Sequence, residues 1–212
     1  MKKLLTFLAI TTSIIFANYQ AKISKITPQI EKRMRDGGSY KDYCPISLND
    51  LRYIKLKYIG FDGKEYWGEL IVNKAVANDV VAIFRELYNI KYPIKQMRLV
   101  SDFKASDFAS IEADNTSAFN CRKASGSKNW SRHSFGKAID INPIENPYIY
   151  LNGKTVHKKS IKYLNRKHIK NRKNDKAIII KGDEIIKIFK SKGWRWGGTF
   201  LEAKDTQHFH KE

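Results

Sequence analysis

The sequence predicts an α+β fold with a small central, mainly antiparallel sheet and flanking helices. Two observations lead to this prediction. In residues 51–73, apolar and aromatic residues alternate with polar ones on both sides of an Asp62-Gly63 turn, which is typical of a β-hairpin. After the hairpin, the patterns run in the order helix, strand, loop, strand, helix, strand, and no internal repeat is present.

Two segments have the residue pattern of amphipathic helices. Asn73 is the expected N-cap of the first helix, in residues 74–90. The second is Asp183–Lys192, with acidic residues at its start and lysines at its end, as the helix dipole favours. Gly193 is its expected C′ residue. One face of the first helix should pack on the sheet through residues at helical spacing, which are Val76, Val80, Ile83, Phe84 and Leu87.

Three further strands are expected. Pro93 ends the helical pattern, and Ile94–Val100 has the pattern of a strand. Short strands are also predicted at Lys137–Ile141 and Asp205–His210. The polar stretch Ser101–Trp130 has little periodicity, and so long a region inside a compact domain is expected to serve a site.

The N-terminal residues resemble a secretory signal peptide, because two lysines precede an apolar run and a small residue follows it. We therefore divide the chain into a signal peptide (1–17), a lead-in that is irregular or partly helical (18–42) and one domain (43–212). Cleavage after Ala17 or Ala21 is expected, and an uncleaved anchor is the alternative. The protein is thus predicted to be exported.

The two cysteines, Cys44 and Cys121, would meet an oxidising compartment in an exported chain. A disulfide that closes a long loop is the expected result, and two buried free thiols are the alternative. The formal net charge of +19 predicts a polyanionic partner: nucleic acid, an anionic membrane surface or an anionic cell wall. The charge by itself does not choose among them.

Residues 152–176 form a basic region. We interpret it as a solvated loop or face, or alternatively as the surface that holds an anionic wall or nucleic acid. Two histidines of this region, His157 and His168, are interpreted as exposed residues without a role in the site.

The candidate chemistry lies in two short segments, SRHSFGKAID at residues 131–140 and DTQHFH at residues 205–210. They offer two imidazoles and a carboxylate, His133, His208 and Asp140, which form a three-ligand catalytic zinc site with a fourth position left for water. A second carboxylate, Asp205, suits a general base. The combination of two acid–histidine pairs in an exported chain therefore predicts a zinc hydrolase.

The motifs also carry a family resemblance. SRHSFGKAID matches the pattern S-x-H-x-x-G-x-A-x-D, and WGG followed by D-x-x-H-F resembles the closing motif of the same family. The family is that of zinc peptidases that include D-alanyl-D-alanine carboxypeptidases and L-alanyl-D-glutamate endopeptidases. NTSAFNCR and GKAIDINP resemble its endopeptidase-type branch and that branch's carboxypeptidase-like relatives. The resemblance covers roughly residues 43–210. It implies a fold shared with lysostaphin-type peptidases and the hedgehog signalling domain (the hedgehog/DD-peptidase fold).

The resemblance implies a role for each matched residue. His133, Asp140 and His208 would bind Zn²⁺, and Asp205 would be the general base and later the acid for the leaving amine. Arg122 lies where the family places an arginine near the substrate, and its guanidinium would grip a peptide carboxylate or polarise the scissile carbonyl.

Four more residues are assigned supporting roles at the substrate or around the ligands: Ser131, Gly136, Trp196 and His210. Ser131 would orient the site through a hydrogen bond, and Gly136 would permit a tight turn. His210 is a competing ligand, because it faces the same side of a strand as His208. Three large aromatic residues either line the cleft or pack in the core: Trp194, Trp196 and Phe209.

The predicted activity is hydrolysis of an amide bond in peptidoglycan stem peptides, in the periplasm or cell envelope of a bacterium. Carboxypeptidase and endopeptidase action both stay open, and an aspartate at position 205 favours the endopeptidase type. The alternatives are an inactive wall-binding module and a secreted basic nucleic-acid-binding protein. No nuclease motif is present and the lysine-rich region lacks regular aromatic residues, so nucleic acid is not the expected partner. An anionic wall or membrane surface stays open as a partner, and a monomer is expected.

Overall fold

The structure is a computed structural model that describes residues 19–166 and 175–212. The predicted signal peptide and His168 lie outside the described residues, and the division at residues 42/43 stays a prediction. The architecture is α+β, with small antiparallel sheets and a few helices, so the predicted class is confirmed. Within the described ranges, no helix is both long and apolar enough to cross a membrane.

The first sheet contains the predicted hairpin. Strands β2 (Leu51–Ile59) and β3 (Glu65–Asn73) pair antiparallel along their whole length, and Gly63 in the turn has a positive φ of 79°. Strand β1 (Ala21–Lys25) adds antiparallel to β2 and gives the order β1-β2-β3. The hairpin is confirmed, whereas the sequence pattern of the lead-in did not reveal β1.

Helices α1 (Pro28–Asp36) and α2 (Ala77–Asn89) cover opposite faces of this sheet. Alternate strand residues point to opposite faces, which produces two apolar clusters. The cluster around α2 includes Ile54, Leu56, Leu70, Val80, Ile83, Phe84 and Leu87. The cluster around α1 includes Met34, Leu51, Ile71, Leu99 and Phe119.

Asn73 does not cap α2, so the predicted helix start was wrong. Asn73 is the last residue of β3, and its side-chain oxygen accepts a hydrogen bond from the Ala75 amide at 2.9 Å. This local turn precedes the helix, whose N-cap residue is Val76. An asparagine that bonds its own backbone two residues on favours a turn as readily as a cap.

The predicted strand at residues 94–100 is shorter in the structure, and the polar stretch after it is more regular than expected. Strand β4 (Gln96–Met97) pairs in parallel with β5 (Asn115–Thr116). Between them the chain forms a 3₁₀ helix and then α3 (Asp107–Glu112), whose N-cap Ser106 accepts from the Ala109 amide at 3.1 Å. The loop predicted at residues 101–130 therefore contains a short helix and a short strand.

A second three-stranded antiparallel sheet carries the candidate chemistry, with β10 (His208–His210) in the middle, β6 (Ala138–Asp140) on one side and β8 (Arg195–Trp196) on the other. The predicted strand at residues 205–210 is divided in two by a turn at residues 206–207. Its first part belongs to β9 (Lys204–Asp205), which pairs with β7 (Tyr148–Ile149) instead. Helix α4 (Glu184–Ser191) precedes β8.

Residues 117–119 join the two sheets, so the predicted single central sheet is replaced by two connected ones. The Phe119 amide donates to the Ile71 carbonyl of β3 at 3.2 Å. On the other side, Ser117 and Asp140 of β6 exchange two backbone hydrogen bonds, of 3.0 and 2.8 Å. The hairpin sheet thereby supports the sheet that carries the site.

Helix α4 packs under the site sheet. Phe189 of this helix stacks on Phe209 with ring centroids 3.9 Å apart and meets Trp194 edge-to-face. Both Phe209 and Trp194 are buried, so these two aromatic residues belong to the core and do not line the cleft. Asp183 at the N-cap and Gly193, with a φ of 77°, lie where the sequence predicted the ends of the helix.

Part of the basic region is anchored to the domain. His157 is only 6% exposed, and its Nδ1 lies 2.8 Å from Glu112 Oε1 at the end of α3. The interpretation of His157 as exposed was wrong, because Glu112 provides a partner that allows the ring to be buried.

The predicted disulfide is confirmed: it joins Cys44 to Cys121, with Cα atoms 5.9 Å apart.

Candidate metal centre

Three side chains from two separate segments converge at one edge of the site sheet. His133 lies in a 3₁₀ helix (Arg132–Phe135), Asp140 ends β6, and His208 begins β10 directly opposite Asp140. His133 Nε2 is 3.2 Å from His208 Nδ1 and 3.3 Å from Asp140 Oδ2, and His208 Nδ1 is 3.0 Å from Asp140 Oδ1. One ligand atom from each residue lies within 4.8 Å of the other two, which makes these residues a candidate metal site.

A backbone carbonyl sets the chemistry of the His133 ring. Its Nδ1 lies 2.5 Å from the Ala118 carbonyl oxygen, which only accepts hydrogen bonds. In the neutral ring the proton therefore occupies Nδ1, and the lone pair of Nε2 points to the other two ligands. A histidine held this way by a second partner is typical of metal ligands.

Asp140 provides the negative charge of the site. Burial alone would raise the pKa of this carboxyl, but the adjacent rings of His133 and His208 hold it well below its usual range. The group is therefore a carboxylate throughout the physiological pH range, as a metal ligand must be.

Asp205 lies beside the three ligands. Its Oδ2 is 4.0 Å from His208 Nδ1, and its buried Oδ1 has no hydrogen-bond partner among the described residues. Burial raises the pKa of Asp205 to about 6; His208 acts against this shift and Asp140 adds to it. A buried carboxylate oxygen without a partner is costly, and at a site it indicates a functional group.

Arg122 is held at the edge of the site by a residue that the sequence analysis did not identify. Its Nε contacts Asp107 Oδ2 of α3, and Asp107 Oδ1 accepts from Asn120 Nδ2 at 2.8 Å. The Ser134 hydroxyl fixes the Arg122 backbone, accepting from its amide at 2.9 Å and donating to its carbonyl at 2.6 Å. The placement of Asp107 next to Arg122 depends on α3, which the sequence pattern did not reveal.

The three ligand candidates and Asp205 lie in a segment that matches a known protein family. Residues 125–211 match the D-alanyl-D-alanine carboxypeptidase family. The family expected from the motifs is confirmed over this peptidase segment, which covers less than half of the chain and excludes Arg122. The match indicates a peptidase and hence a hydrolase. No curated protein and no solved structure matched the chain.

Two residues of the peptidase segment shape the 3₁₀ helix that carries His133. Ser131 caps this helix, and its hydroxyl accepts from the His133 amide at 3.3 Å. Gly136 ends the helix with a φ of 65°, and its carbonyl accepts from the Asn73 amide of β3 at 2.8 Å. Together they fix the position of His133 relative to the sheet.

Trp196 and His210 of the peptidase segment lie next to the ligands without joining them. Trp196 Nε1 donates to the Thr206 carbonyl at 2.9 Å and so holds the turn between Asp205 and His208. The His210 ring centroid is 5.3 Å from that of His208, on the expected side of β10. Burial lowers the pKa of His210 to about 4, so this ring is neutral at physiological pH.

Gly197 is a site residue that the sequence analysis noted only as part of the WGG motif. A Cβ atom at this position would lie 2.6 Å from the Asp205 carbonyl oxygen and 3.0 Å from Asp205 Cβ. The absence of a side chain lets the chain after β8 pass directly against the general-base candidate. In the sequence, the first glycine of the WGG motif is the feature that indicates this close approach.

Proposed function

We propose that the protein is a zinc-dependent peptidase that hydrolyses an amide bond in peptidoglycan stem peptides. The observation that carries the proposal is the convergence of His133, Asp140 and His208 next to the unpartnered carboxylate oxygen of Asp205. The family match of residues 125–211 supports the peptidase class. We further propose the hedgehog/DD-peptidase fold for the domain.

The donor set fits zinc. Two imidazole nitrogens and a carboxylate form a typical catalytic ligand set for this ion. In a tetrahedron with zinc–ligand bonds of about 2.0–2.1 Å, neighbouring donors lie roughly 3.3 Å apart. The two imidazole nitrogens, His133 Nε2 and His208 Nδ1, are 3.2 Å apart, which is close to this value. Each ring nitrogen also lies near a different oxygen of Asp140, at 3.3 and 3.0 Å, which supports a small ion among the three side chains. A zinc ion held there would act as a Lewis acid on the scissile carbonyl and would lower the pKa of a coordinated water.

Asp205 would carry out the proton transfers. It accepts the proton of the attacking water and returns that proton to the nitrogen of the leaving amine. The carboxylate is buried, which raises its pKa towards the range in which a group exchanges protons easily at neutral pH. Its partner-free Oδ1 is the atom available to the water.

Arg122 would bind the substrate. Asp107 forms an ion pair at Nε, and Nη1 donates to the Lys123 carbonyl. Nη2 has no hydrogen-bond partner among the described residues. That nitrogen is free to donate to a peptide carboxylate or to the scissile carbonyl oxygen. The two roles correspond to a carboxypeptidase and an endopeptidase, respectively.

We propose that the protein acts as a monomer after export, in the periplasm or cell envelope of a bacterium. The net charge of +19 supports retention on an anionic wall or membrane surface. The same charge fits the second candidate function, an inactive module that binds the wall.

The test is digestion of defined muropeptides by the purified protein with zinc, with a chelator, and as Asp205→Ala, followed by mass spectrometry. We expect cleavage with zinc, no cleavage with the chelator, and a loss on the order of 10²- to 10⁴-fold in Asp205→Ala. Glu202→Gln, which removes an exposed carboxylate close in sequence, serves as the control and should keep wild-type activity.

The products decide the reaction type. Release of a terminal D-alanine assigns a carboxypeptidase, and separation of L-alanine from D-glutamate assigns an endopeptidase. If the protein binds zinc and cuts no muropeptide, the hydrolase proposal is wrong and the wall-binding function takes its place.

A further inference from the structure

We propose that Tyr148 is a substrate-binding residue, whose hydroxyl donates a hydrogen bond to a peptide carbonyl oxygen next to Asp205. Neither the motifs nor the metal ligands include this tyrosine. The inference rests on the proposed peptidase function. It adds a hydrogen-bond donor on the side of the site that carries the general base.

The strand register places Tyr148 beside Asp205. Strands β7 and β9 pair antiparallel, and Tyr148 is the residue directly opposite Asp205. Side chains of directly opposed residues lie on the same face of a sheet, with Cβ atoms about 4.5–5.5 Å apart. Burial is the largest cause that raises the pKa of Tyr148, and the charge of Asp205 is the next largest, which is consistent with this proximity.

The two strands form one rigid unit. Pro147, just before Tyr148, accepts at its carbonyl from the Thr206 amide at 3.3 Å and from the Thr206 hydroxyl at 2.8 Å. Asn146 is fully buried, and its side chain bonds five groups: the carbonyls of Ile141, Asn142 and Ala177, the amide of Ile179 and the guanidinium of Arg166. The position of Tyr148 relative to Asp205 is thus set before any substrate binds, which favours catalysis.

Tyr148 keeps an accessible, unused donor. The residue is 38% exposed, and its hydroxyl has no hydrogen-bond partner within the described residues. Tyr150, 46% exposed, meets its ring nearly edge-on with centroids 4.9 Å apart, which restricts the ring without contacting a polar atom. The raised pKa keeps the phenol protonated, so the group donates at physiological pH.

The unpaired groups of the site are complementary to a peptide. Among residues 19–166 and 175–212, no donor reaches the Asp205 Oδ1 atom and no acceptor reaches the Tyr148 hydroxyl, although the two residues are cross-strand neighbours. A substrate amide with its attacking water offers both groups, a proton for the carboxylate and a carbonyl oxygen for the phenol. Charge that develops on that oxygen during attack would strengthen the phenol's hydrogen bond.

The experiment compares Tyr148→Phe, which removes only the hydroxyl, with wild type and with Tyr66→Phe on the muropeptide that wild type cleaves. Tyr66 lies on the hairpin, where its hydroxyl donates to Asp62, and it is the control for loss of a phenol away from the site. We expect kcat of Tyr148→Phe to fall by roughly 100-fold, the effect of removing one donor to a developing oxyanion. Zinc content and Tm should stay at wild-type values, because the ring and the backbone bonds remain.

A Tyr148→Phe enzyme with wild-type kcat and KM would refute this inference and leave the peptidase proposal intact. A fall in activity that is accompanied by loss of zinc or by a lower Tm would also refute it, because the hydroxyl would then be structural. If wild type cleaves no peptide, the proposed function fails, and the inference fails with it.

Discussion

Gly136 is required both by its backbone conformation and by the space around it. Its φ of 65° lies in the left-handed region, which residues with a Cβ adopt at a cost. A Cβ atom there would lie 2.5 Å from the Asn73 amide nitrogen and 2.9 Å from the Val72 carbonyl carbon. Both neighbours are backbone atoms of β3, so neither can rotate away. The close approach connects the 3₁₀ helix that carries His133 to the hairpin sheet.

We therefore expect Gly136→Ala to lower the free energy of unfolding by roughly 2–4 kcal/mol, because strain and overlap both act. Urea denaturation monitored by circular dichroism would measure the loss. Gly126→Ala is the matched control, since Gly126 has a φ of 69° and nothing within 4 Å of the added methyl group. Its expected loss is about 1–2 kcal/mol, from the conformation alone. Equal losses in the two variants would contradict the steric part of the argument.

At the scale of elements, a buried pair of carboxyl groups connects three segments. Asp114 follows α3, Glu145 follows β6, and Tyr163 ends a 3₁₀ helix (Lys158–Tyr163) and donates to Glu145 Oε1 at 3.3 Å. Burial raises the pKa of Glu145 to about 8, and the adjacent Asp114 adds to the shift. The other charged or titratable groups that act on the pair are Tyr92, Lys95, Lys159, Lys162 and Arg166.

This pair predicts a pH dependence of stability. Between pH 4.5, the ordinary pKa, and about 8, the folded protein keeps the Glu145 proton and the unfolded chain releases it. The free energy of unfolding should therefore fall as pH rises through this window, by up to ~1.4 kcal/mol per pH unit for one proton.

Glu145→Gln should remove this part of the slope, as measured by urea denaturation between pH 4.5 and about 8. Glu112→Gln is the control. The hydrogen bond with His157 is the main cause that lowers the Glu112 pKa below its ordinary value of 4.5. Glu112 therefore changes its charge at a pH below this window. A Glu145→Gln variant with the wild-type slope would show that the pair shares no proton.

Across the whole molecule, the disulfide connects the segment that follows α1 to the segment that precedes Arg122. Cys44 and Cys121 are separated by 77 positions, and both pack with the cluster around α1. Beside the disulfide, the Cys121 amide donates to the Ser39 carbonyl at 3.0 Å. The bond thus fixes the N-terminal helix and one side of the site to each other.

Breaking this bond should lower the free energy of unfolding by about 4 kcal/mol, because the unfolded chain is no longer constrained by a long loop. We expect Tm to fall when the wild-type protein is reduced. The double variant Cys44→Ser/Cys121→Ser should have the lower Tm from the start and should not respond to the reductant. An unchanged Tm of reduced wild type would contradict the expected contribution.

The elements that were predicted correctly depend on local signals. The hairpin follows from alternation around Asp62-Gly63, and α4 follows from its amphipathic pattern with Gly193 at its end. The errors arise where a local signal has two outcomes. The side chain of Asn73 stabilises a turn instead of capping the helix. Residues 205–210 belong to two strands that pair with different partners.

The candidate site was predicted only in part for a similar reason. His133, Asp140, Asp205 and His208 carry metal and proton chemistry in their side chains, and their short spacings make that chemistry visible in the sequence. The partners of these groups lie far away in the chain. The Ala118 carbonyl that sets the His133 tautomer has no sequence signal, because every residue has a carbonyl.

The sequence by itself therefore determined the fold class, the family match of residues 125–211 and the set of chemical groups, since local periodicity and residue type are sufficient for these. The tertiary structure decided which groups meet. It placed Asp107 on Arg122, Glu112 on His157 and Tyr148 beside Asp205. These contacts depend on strand register and on how α3 packs, and both are set by burial of apolar surface over the whole chain rather than by any one segment.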